Sequence, residues 1–222
     1  MSLLTLVTLA LAFALGGVLG GRVMGALRGV DLRRAGSGNI GATNALRTQG
    51  KSFAIAVLLI DAGKGVLAAL LLPALAARFT ATPAWLPVAC GALAVLGHCY
   101  SPWFGFNGGK GVATLAGVFL ALLPVAFGWM FAAFALLVLL TGVVSLATLA
   151  AAFTAALLAW QVPPALPFAC PFTLLMLVLV LWAHRDNWRR LLKGEESRFE
   201  RARLLGRWLR LPPLGRAREA QS

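Results

Sequence analysis

The chain has 222 residues, of which 60% are hydrophobic and only 12% are charged, and its formal net charge is +13. Soluble domains carry roughly 25% charged residues, and the deficit here accompanies a mean hydropathy of +0.85. Long apolar runs cover the segments 3–21, 53–77, 85–96, 112–160 and 162–183. This composition excludes a soluble enzyme, a disordered chain and a disulfide scaffold, and it predicts an all-α polytopic integral membrane protein.

The first three predicted spans lie in the N-terminal half. Span one covers about 3–21, span two about 53–76 and span three about 85–98. Arg22 follows the first apolar stretch instead of preceding it, which favours an uncleaved span with its N-terminus outside over a secretory signal. In this orientation the basic 22–51 loop and the segment that begins at His98 lie on the cytoplasmic side.

The apolar sequence between 111 and 183 is predicted to form four further spans. Two spans would take about 36 residues each, far more than the ~20 that one crossing needs, whereas four take about 18 each. Residues that favour turns occur near Pro124, at 142–145 and at 163–167. We therefore predict about seven transmembrane helices, with the N-terminus outside and the C-terminus cytoplasmic.

The basic residues are concentrated beside the predicted spans. Of the 20 Lys and Arg residues, six lie in 22–51 and eleven in 184–222. The positive-inside rule produces this distribution, so we predict no nucleic-acid binding. Residues 1–196 are predicted to form a single transmembrane domain, followed by a basic cytoplasmic tail at 197–222. Apolar residues alternate with arginines in the tail up to Pro212, which favours an amphipathic helix on anionic lipid; a flexible solubilising tail is the alternative.

Two glycine-rich segments fall on the predicted cytoplasmic side. The first reads Ser-Gly-Asn-Ile-Gly-Ala-Thr-Asn at 37–44, and the backbone amides of such a loop can surround an anion. A solvated turn before span two is the alternative. The second begins Gly-His-Cys-Tyr-Ser-Pro at 97–102 and ends in Gly-Gly-Lys-Gly at 108–111, before an apolar run. Free amides, a cation and a helix N-terminus predict a phosphate-binding element there; a re-entrant turn is the alternative.

Other polar residues occur at the same predicted level. His184 and Asn187 would face the same way if the last helix continues, whereas the arginines that follow are ordinary stop-transfer charges. Asp61 and Lys64 lie one turn apart inside span two, where an ion pair faces a bundle interior or an aqueous cavity. This pair either belongs to a site or only fixes helix packing. Ser145 lies where span five meets span six, and a helix cap is its alternative role.

The residue inventory limits the chemistry of a site at this face. Only Asp31, Asp61 and Asp186 precede the acids of the tail region, so a two-carboxylate acid/base pair or a Mg²⁺ site is not expected. No His/Cys/Glu cluster suits a transition metal, and no nucleophilic serine with a base and an orienting acid is apparent. We therefore expect a site without metal or cofactor that positions anionic substrates with preorganised donors.

The two glycine-rich segments and His-Arg-Asp-Asn-Trp-Arg-Arg-Leu at 184–191 closely resemble the acyl-phosphate:glycerol-3-phosphate acyltransferases, the PlsY family, over about residues 1–196. The resemblance implies an enzyme of bacterial phospholipid biosynthesis in the cell (inner) membrane, active on the cytoplasmic side. It would transfer an acyl chain from acyl phosphate to the 1-hydroxyl of glycerol 3-phosphate without an acyl-enzyme, giving lysophosphatidic acid and phosphate. An acyl-carrier-protein:phosphate transacylase would supply the donor. The sequence does not determine the oligomeric state, and a monomer is one of the options.

The resemblance also implies roles for individual residues. The catalytic candidates are Ser37, Arg47, Lys110, Ser145, His184 and Asn187. The substrate-binding candidates are Asn39, Asn44, Lys64, His98, Ser101, Gly108, Gly109 and Gly111. Arg47 and Lys110 would stabilise the leaving phosphate or the oxyanion, and the base is either His184 or a substrate phosphate oxygen. Glu195 matches an acid of the family that looks structural.

The sequence departs from the family at one position and leaves two alternative functions open. Position 107 is Asn, where the family often has a basic residue. Acyltransferases that use acyl-coenzyme A or acyl-carrier protein carry His, four residues, then Asp, and neither His98 nor His184 starts such a pattern. A small transporter for an anionic metabolite would place Asp61 and Lys64 on its path, but its polar groups would gather at the midplane between two related halves.

Overall fold

Helices make up almost all regular structure in the computed structural model, which describes residues 1–159 and 168–217. The α-helices are α1 (Leu3–Gly16), α2 (Gly20–Arg28), α3 (Ala42–Gln49), α4 (Lys51–Val66), α5 (Leu72–Ala76), α6 (Leu86–Cys99), α7 (Val112–Leu122), α8 (Pro124–Thr141), α9 (Val144–Ala159), α10 (Ala169–Ala183), α11 (Arg185–Leu192) and α12 (Leu204–Trp208). Two-residue strands, β1 (Ser197–Arg198) and β2 (Arg216–Ala217), pair in parallel. The all-helical prediction is confirmed.

The first two predicted spans differ in their continuity. Span one is divided into α1 and α2, whose axes meet at 47° across the break between Gly16 and Gly20. Span two is one continuous helix over Lys51–Ala76, in which a π-helical turn, Leu67–Leu71, connects α4 to α5. Pro73 lacks an amide hydrogen, so it removes one helical bond and widens the turn that precedes it. At 1.5 Å per residue this helix is about 39 Å long, enough to cross the hydrocarbon core.

The region after residue 85 follows the predicted division. Helix α6 coincides closely with span three, and the described residues within 112–183 form four helices, α7 to α10. Two of the predicted breaks are present, at Leu123 and at 142–143; the third, at 163–167, lies outside the described residues. Among those residues, two helices qualify as crossings by length and composition, or up to four if each bent pair is one span. Seven crossings and the orientation of the termini stay predictions.

Glycines allow the helices at the centre of the bundle to approach closely. A Cβ atom at Gly117 of α7 would overlap the Ala62 carbonyl of α4, and one at Gly65 of α4 would overlap the Thr114 carbonyl of α7. Gly97 of α6 packs in the same way on the Phe13 carbonyl of α1. Small residues at helix contacts are the usual solution in membranes, where association depends on close van der Waals packing. These crossings place the N-terminus of α7 beside α4 and α6.

The largest apolar core is formed by the five helices from α6 to α10. Phe119 and Phe172 pack within it with ring centroids 5.8 Å apart, and Met176 belongs to the same cluster. Large apolar side chains on the outer faces of α8 and α9, such as Trp129 and Leu157, are 62% and 72% exposed. Exposed apolar faces on long apolar helices are what a bilayer would cover.

The prediction of one amphipathic helix up to Pro212 is wrong for the described part of the tail. Regular helix is limited to a 3-10 turn, Glu200–Ala202, and to the five residues of α12. Arg203 turns inward, is 5% exposed and donates to the carbonyls of Gly206 and Leu211. The segment instead packs against the end of α8 and the α8–α9 turn, where Gly206 lies on the Leu140 carbonyl and the Phe199 amide donates to the Gly142 carbonyl.

Candidate active site

A buried carboxylate, Glu196, joins three of the predicted catalytic segments. Its Oε1 accepts from Ser145 Oγ at 2.9 Å and from Asn187 Nδ2 at 2.6 Å. Its Oε2 accepts from Arg190 Nε at 2.9 Å. Asn187 Oδ1 in turn accepts from Lys110 Nζ. The loop before α7, the start of α9 and helix α11 are therefore connected by one chain of hydrogen bonds.

The acid of this network is the neighbour of the one that the resemblance indicated. Glu195 is exposed, whereas Glu196 is 3% exposed. Gly194 has a left-handed backbone (φ +67°) just after α11, and this turn decides which of two adjacent carboxylates points inward. Adjacent identical residues give no periodicity by which the sequence alone could separate them. Glu196 is thus a site residue that sequence reasoning missed by one position.

Lys110 lies at one end of this hydrogen-bonded chain, in the loop between α6 and α7. Burial lowers the pKa of its ammonium group to about 8. The negative charge of Glu196 opposes this effect, and the positive charges of Arg190 and Arg47 add to it. A half-buried cation that donates to a neutral amide oxygen, with a carboxylate and further cations in electrostatic range, is well suited to receive a dianionic phosphate group.

Arg47 reaches the same region from α3. Its Nη2 donates to the Ser197 carbonyl oxygen at 3.4 Å, next to Glu196 in the chain. Its guanidinium carbon lies 4.6 Å from the centre of the Phe199 ring. The contacts with residues 197 and 199 were not anticipated, because no local pattern links positions about 150 residues apart.

His184 and Asn187 are both buried, but the last helix is broken between them, so the condition for their facing the same way is not met. The axes of α10 and α11 meet at 55°, and His184 lies at the break. Its Nδ1 lies 2.9 Å from the Val180 carbonyl oxygen, one turn earlier in α10. The break turns α11 towards Glu196, which is how Asn187 enters the network.

The loop that contains Ser37 is organised by Asn44. The side-chain Nδ2 of Asn44 lies 2.7–3.1 Å from the carbonyl oxygens of Leu32, Ala35 and Asn39, to which its two hydrogens are shared, and its Oδ1 accepts from the Ser37 backbone amide at 2.8 Å. Asn44 is therefore fully used in holding the loop. The Asn39 side chain accepts from the Gly41 amide, and Ser37 is exposed. Within the described residues, no recorded contact connects the side chains of Ser37 or Asn39 to Lys110.

Gly108 and Gly109 do not offer the free amides that we expected. Their N–H groups donate to the carbonyls of Cys99 and His98, each at 3.0 Å. A Cβ atom at Gly108 would overlap the His98 carbonyl, and one at Gly109 would overlap the His98 ring. The two glycines thus let the loop pack onto the end of α6. Gly111, with φ +73°, then turns the chain into α7.

Asn107, where the sequence departs from the family, lies next to Arg33. Arg33 Nη2 donates to the Asn107 carbonyl oxygen at 2.5 Å. A cation therefore lies beside the position where the family often has a basic residue.

Lys64, His98 and Ser101 form a separate buried group at the break between α1 and α2. Lys64 Nζ lies 2.9 Å from both Asp61 Oδ1 and His98 Nδ1, and it donates to the Val18 carbonyl at 2.6 Å. Asp61 accepts from the Gly20 amide, and Ser101 donates to the Gly17 carbonyl. These side chains bond the backbone groups that a broken helix leaves without partners. This geometry favours the packing role for the Asp61–Lys64 pair.

The sequence profile described as glycerol-3-phosphate acyltransferase matches residues 6–194 of this chain. The chain belongs to the glycerol-3-phosphate acyltransferase (PlsY) family. This match confirms the resemblance that the three motifs indicated. Members of the family are glycerol-3-phosphate acyltransferases, and the apolar helical bundle agrees with a membrane protein.

Individual relatives agree with this family. A glycerol-3-phosphate acyltransferase of Synechococcus sp. (strain JA-3-3Ab) is 48% identical over 171 residues, covering 77% of this chain and 80% of that protein. The Synechococcus elongatus protein of the same name is 42% identical and covers 88% and 95%. The crystal structure of the integral membrane acyltransferase PlsY in its glycerol 3-phosphate form superimposes with a TM-score of 0.80, at 36% identity, over 90% of this chain and 98% of that one. The lysophosphatidic acid form gives a TM-score of 0.79.

Proposed function

We propose that the protein transfers an acyl chain from acyl phosphate to the 1-hydroxyl of glycerol 3-phosphate, giving lysophosphatidic acid and inorganic phosphate. The observation that carries the proposal is the hydrogen-bonded chain Lys110–Asn187–Glu196–Ser145 with Arg47 beside it. Both substrates carry a phosphate, and this arrangement concentrates cations at one point. Solved relatives bound to glycerol 3-phosphate and to lysophosphatidic acid support the acceptor and the product.

The reaction is a direct acyl transfer. The 1-hydroxyl oxygen attacks the acyl carbonyl carbon, the carbon–oxygen bond to phosphate then breaks, and the hydroxyl proton leaves on a phosphate oxygen. Acyl phosphate is an activated mixed anhydride, so no acyl-enzyme is needed. A phosphate oxygen as base agrees with the position of His184, whose Nδ1 is next to a backbone carbonyl. Lys110 and Arg47 would compensate the charge of the oxyanion and of the leaving phosphate.

Asn187, Ser145 and Ser37 have different supporting roles in this proposal. Asn187 holds Lys110 with its oxygen and Glu196 with its nitrogen, so it fixes the direction of the ammonium group. Ser145 donates to Glu196 and is a positioning residue. Ser37, on its exposed loop, would reach the acceptor only when substrate is bound, since hydrogen bonds at active sites often tighten in the substrate complex.

The proposal places the site at the cytoplasmic face of the bacterial inner membrane. A membrane-edge site suits one lipid-like substrate and one water-soluble substrate. A transacylase that converts acyl-carrier protein and phosphate into acyl phosphate would supply the donor. The positive-inside distribution of the basic loops supports this side.

The test is a donor comparison with purified protein in detergent. Palmitoyl phosphate and palmitoyl-coenzyme A are each supplied with and without glycerol 3-phosphate, and both phosphate and lysophosphatidic acid are measured. We expect product from palmitoyl phosphate only, with phosphate release that requires glycerol 3-phosphate. Product from the coenzyme A donor would overturn the donor assignment, and no product from folded protein would revive the transporter.

Lys110→Met tests the site within the same assay. Methionine keeps the length and removes the charge, so we expect kcat to fall by about 10²- to 10³-fold, the range for loss of one oxyanion-stabilising group. The variant should elute from size-exclusion chromatography as the unmodified protein does. Near-normal turnover would contradict the role of Lys110.

A further inference from the structure

Residues from the C-terminal segment lie against the Arg47 side chain. The Ser197 carbonyl oxygen accepts from Arg47 Nη2 at 3.4 Å, and the Phe199 ring lies under the guanidinium with 4.6 Å between the ring centre and Cζ. Both contacts come from beyond residue 194, where the match to the family profile ends. They are therefore a feature of this chain that the family match does not describe.

The Phe199 backbone is anchored on both sides. Its amide donates to the Gly142 carbonyl at 2.9 Å, in the turn between α8 and α9. Gly142 has φ +71°, and a Cβ atom there would lie 2.6 Å from the Phe199 carbonyl oxygen. On the N-terminal side, Glu196 is tied to Ser145, three residues beyond Gly142. The ring is thus carried by backbone that is fixed to the same turn as the catalytic network.

The segment is also closed on itself. Strand β1 pairs with β2, so Ser197 lies opposite Arg216. Arg198 Nε donates to Glu200 Oε2 at 2.6 Å, and a Cβ atom at Gly215 would overlap the Glu196 carbonyl. Residues 196–200 and 215–216 thus hold one another in place. The segment can therefore act as a rigid support for the Phe199 ring.

Arg47 needs such a support if it is to bind phosphate. A long arginine side chain loses rotamer freedom when it is immobilised on a ligand, and ordering it beforehand removes that cost from binding. An aromatic ring stacks on the face of a guanidinium, whereas phosphate is bound by N–H groups in its plane, so the two contacts are compatible. The positive charge of Arg47 already acts on Lys110, which places the guanidinium within electrostatic range of the site.

We propose that Phe199, together with the Ser197 carbonyl, positions Arg47 to bind the phosphate group of a substrate. Phe199 is a positioning residue that acts through Arg47. The inference rests on the role of Arg47 in the proposed function. The phosphate belongs either to glycerol 3-phosphate or to acyl phosphate, and the KM values of the two substrates distinguish these sources.

The experiment compares four variants of the full chain by steady-state kinetics with each substrate varied in turn. Phe199→Leu removes the ring but keeps an apolar side chain, Phe199→Tyr keeps the ring face, and Arg47→Ala removes the supported group. Trp208→Ala is the matched control, since Trp208 is an aromatic residue of the same segment that is 77% exposed. Thermal unfolding in detergent accompanies each measurement.

We expect Phe199→Leu to raise the KM of one phosphate substrate by roughly 3- to 30-fold, the range of a cation–π contact, with a smaller change in kcat. Phe199→Tyr and Trp208→Ala should both keep the KM of the unmodified protein. If Arg47→Ala is inactive but Phe199→Leu keeps both KM values within twofold, the positioning role is overturned and the role of Arg47 stands. If Arg47→Ala is fully active, the proposed role of Arg47 fails and the inference fails with it. Equal losses for Phe199→Leu and Phe199→Tyr with lowered melting temperatures would assign the ring to folding and overturn the inference.

Discussion

At the scale of residues, one carboxylate decides how the site is assembled. Glu196 accepts hydrogen bonds from Ser145, Asn187 and Arg190, which belong to α9 and α11. Its neighbour Glu195 is exposed. Because both oxygens of a buried carboxylate are used as acceptors, replacing either by a donor leaves a buried N–H group facing another N–H or O–H group.

The two adjacent acids make a matched pair of variants. For Glu196→Gln we expect the free energy of unfolding to fall by about 1–3 kcal/mol, the cost of an unsatisfied buried donor. We expect kcat/KM to fall by about tenfold or more, because each 1.36 kcal/mol lost in the transition state is a factor of ten. Glu195→Gln should change neither quantity. Equal effects of the two substitutions would contradict the assignment of Glu196.

Lys110 makes activity depend on pH. Burial lowers the pKa of this loop residue to about 8, so its ammonium group is charged below pH 8 and neutral above it. We expect kcat/KM for glycerol 3-phosphate, measured between pH 7 and 10, to fall above about pH 8. A bound phosphate dianion favours the charged ammonium form, so kcat should fall only at higher pH. A flat kcat/KM profile up to pH 10 would contradict the role of the charge.

The same lowered pKa makes the stability of the fold rise with pH, whereas the activity falls. In the unfolded chain the pKa of lysine returns towards 10.5, so between about pH 8 and 10.5 the unfolded state binds more protons than the folded state. The contribution of Lys110 to the free energy of unfolding therefore rises with pH across this window. The free energy of unfolding is measured against pH for the unmodified protein and for Lys110→Met. The rise should be absent in Lys110→Met, and the difference between the two curves isolates the titration of Lys110 from that of other groups.

At the scale of elements, close helix contacts hold the start of α7 in place. Gly117 of α7 lies on the Ala62 carbonyl of α4, whereas Gly63 of α4 faces open space. The loop with Lys110 directly precedes α7, so the α4–α7 contact transmits the packing of the bundle to the site. Helix α7 is only 11 residues long, and it also packs against α6 and α8.

Two alanine substitutions test this transmission. Gly117→Ala must push α4 and α7 apart, and we expect it to lower the free energy of unfolding by about 1–3 kcal/mol, as overpacking does. Activity should fall as well, because the loop before α7 moves. Gly63→Ala adds the same methyl group in open space and should be neutral or slightly stabilising. Thermal unfolding and turnover in detergent measure both effects, and no difference between the variants would refute the role of the crossing.

At the scale of the whole molecule, the orientation in the membrane determines which compartment supplies the substrates. Two segments at the ends of helices report on it: the loop between α5 and α6, where Ala81 is exposed, and the region after α11, where Lys193 is exposed. The proposed topology puts Ala81 outside and Lys193 in the cytoplasm, with the catalytic network.

Cysteine labelling in intact spheroplasts tests this topology. With the three native cysteines, Cys90, Cys99 and Cys170, replaced by alanine, Ala81→Cys should react with a membrane-impermeant maleimide. Lys193→Cys should react only after the membrane is permeabilised. The reverse pattern would invert the orientation, and labelling of both positions from outside would contradict the count of seven spans.

Sequence by itself determined the membrane class, most helix positions and the family. Hydropathy is a sum over neighbouring residues, so the span at 53–76 and the four helices within 112–183 were predictable from local composition. The motifs at 37–44, 97–114 and 184–191 were recognisable because each is contiguous. The resemblance to the family also indicated Lys110, Asn187 and Ser145 as catalytic candidates, although not which contacts they would make.

Only the tertiary structure decided how those residues meet. Whether Glu195 or Glu196 turns inward depends on one glycine with a left-handed backbone, and whether the amides of Gly108 and Gly109 are free depends on how α6 ends beside them. The contact of Arg47 with Phe199 joins α3 to the far end of the chain. Such contacts arise when packed helices bring distant segments together, so no local pattern in the sequence encodes them.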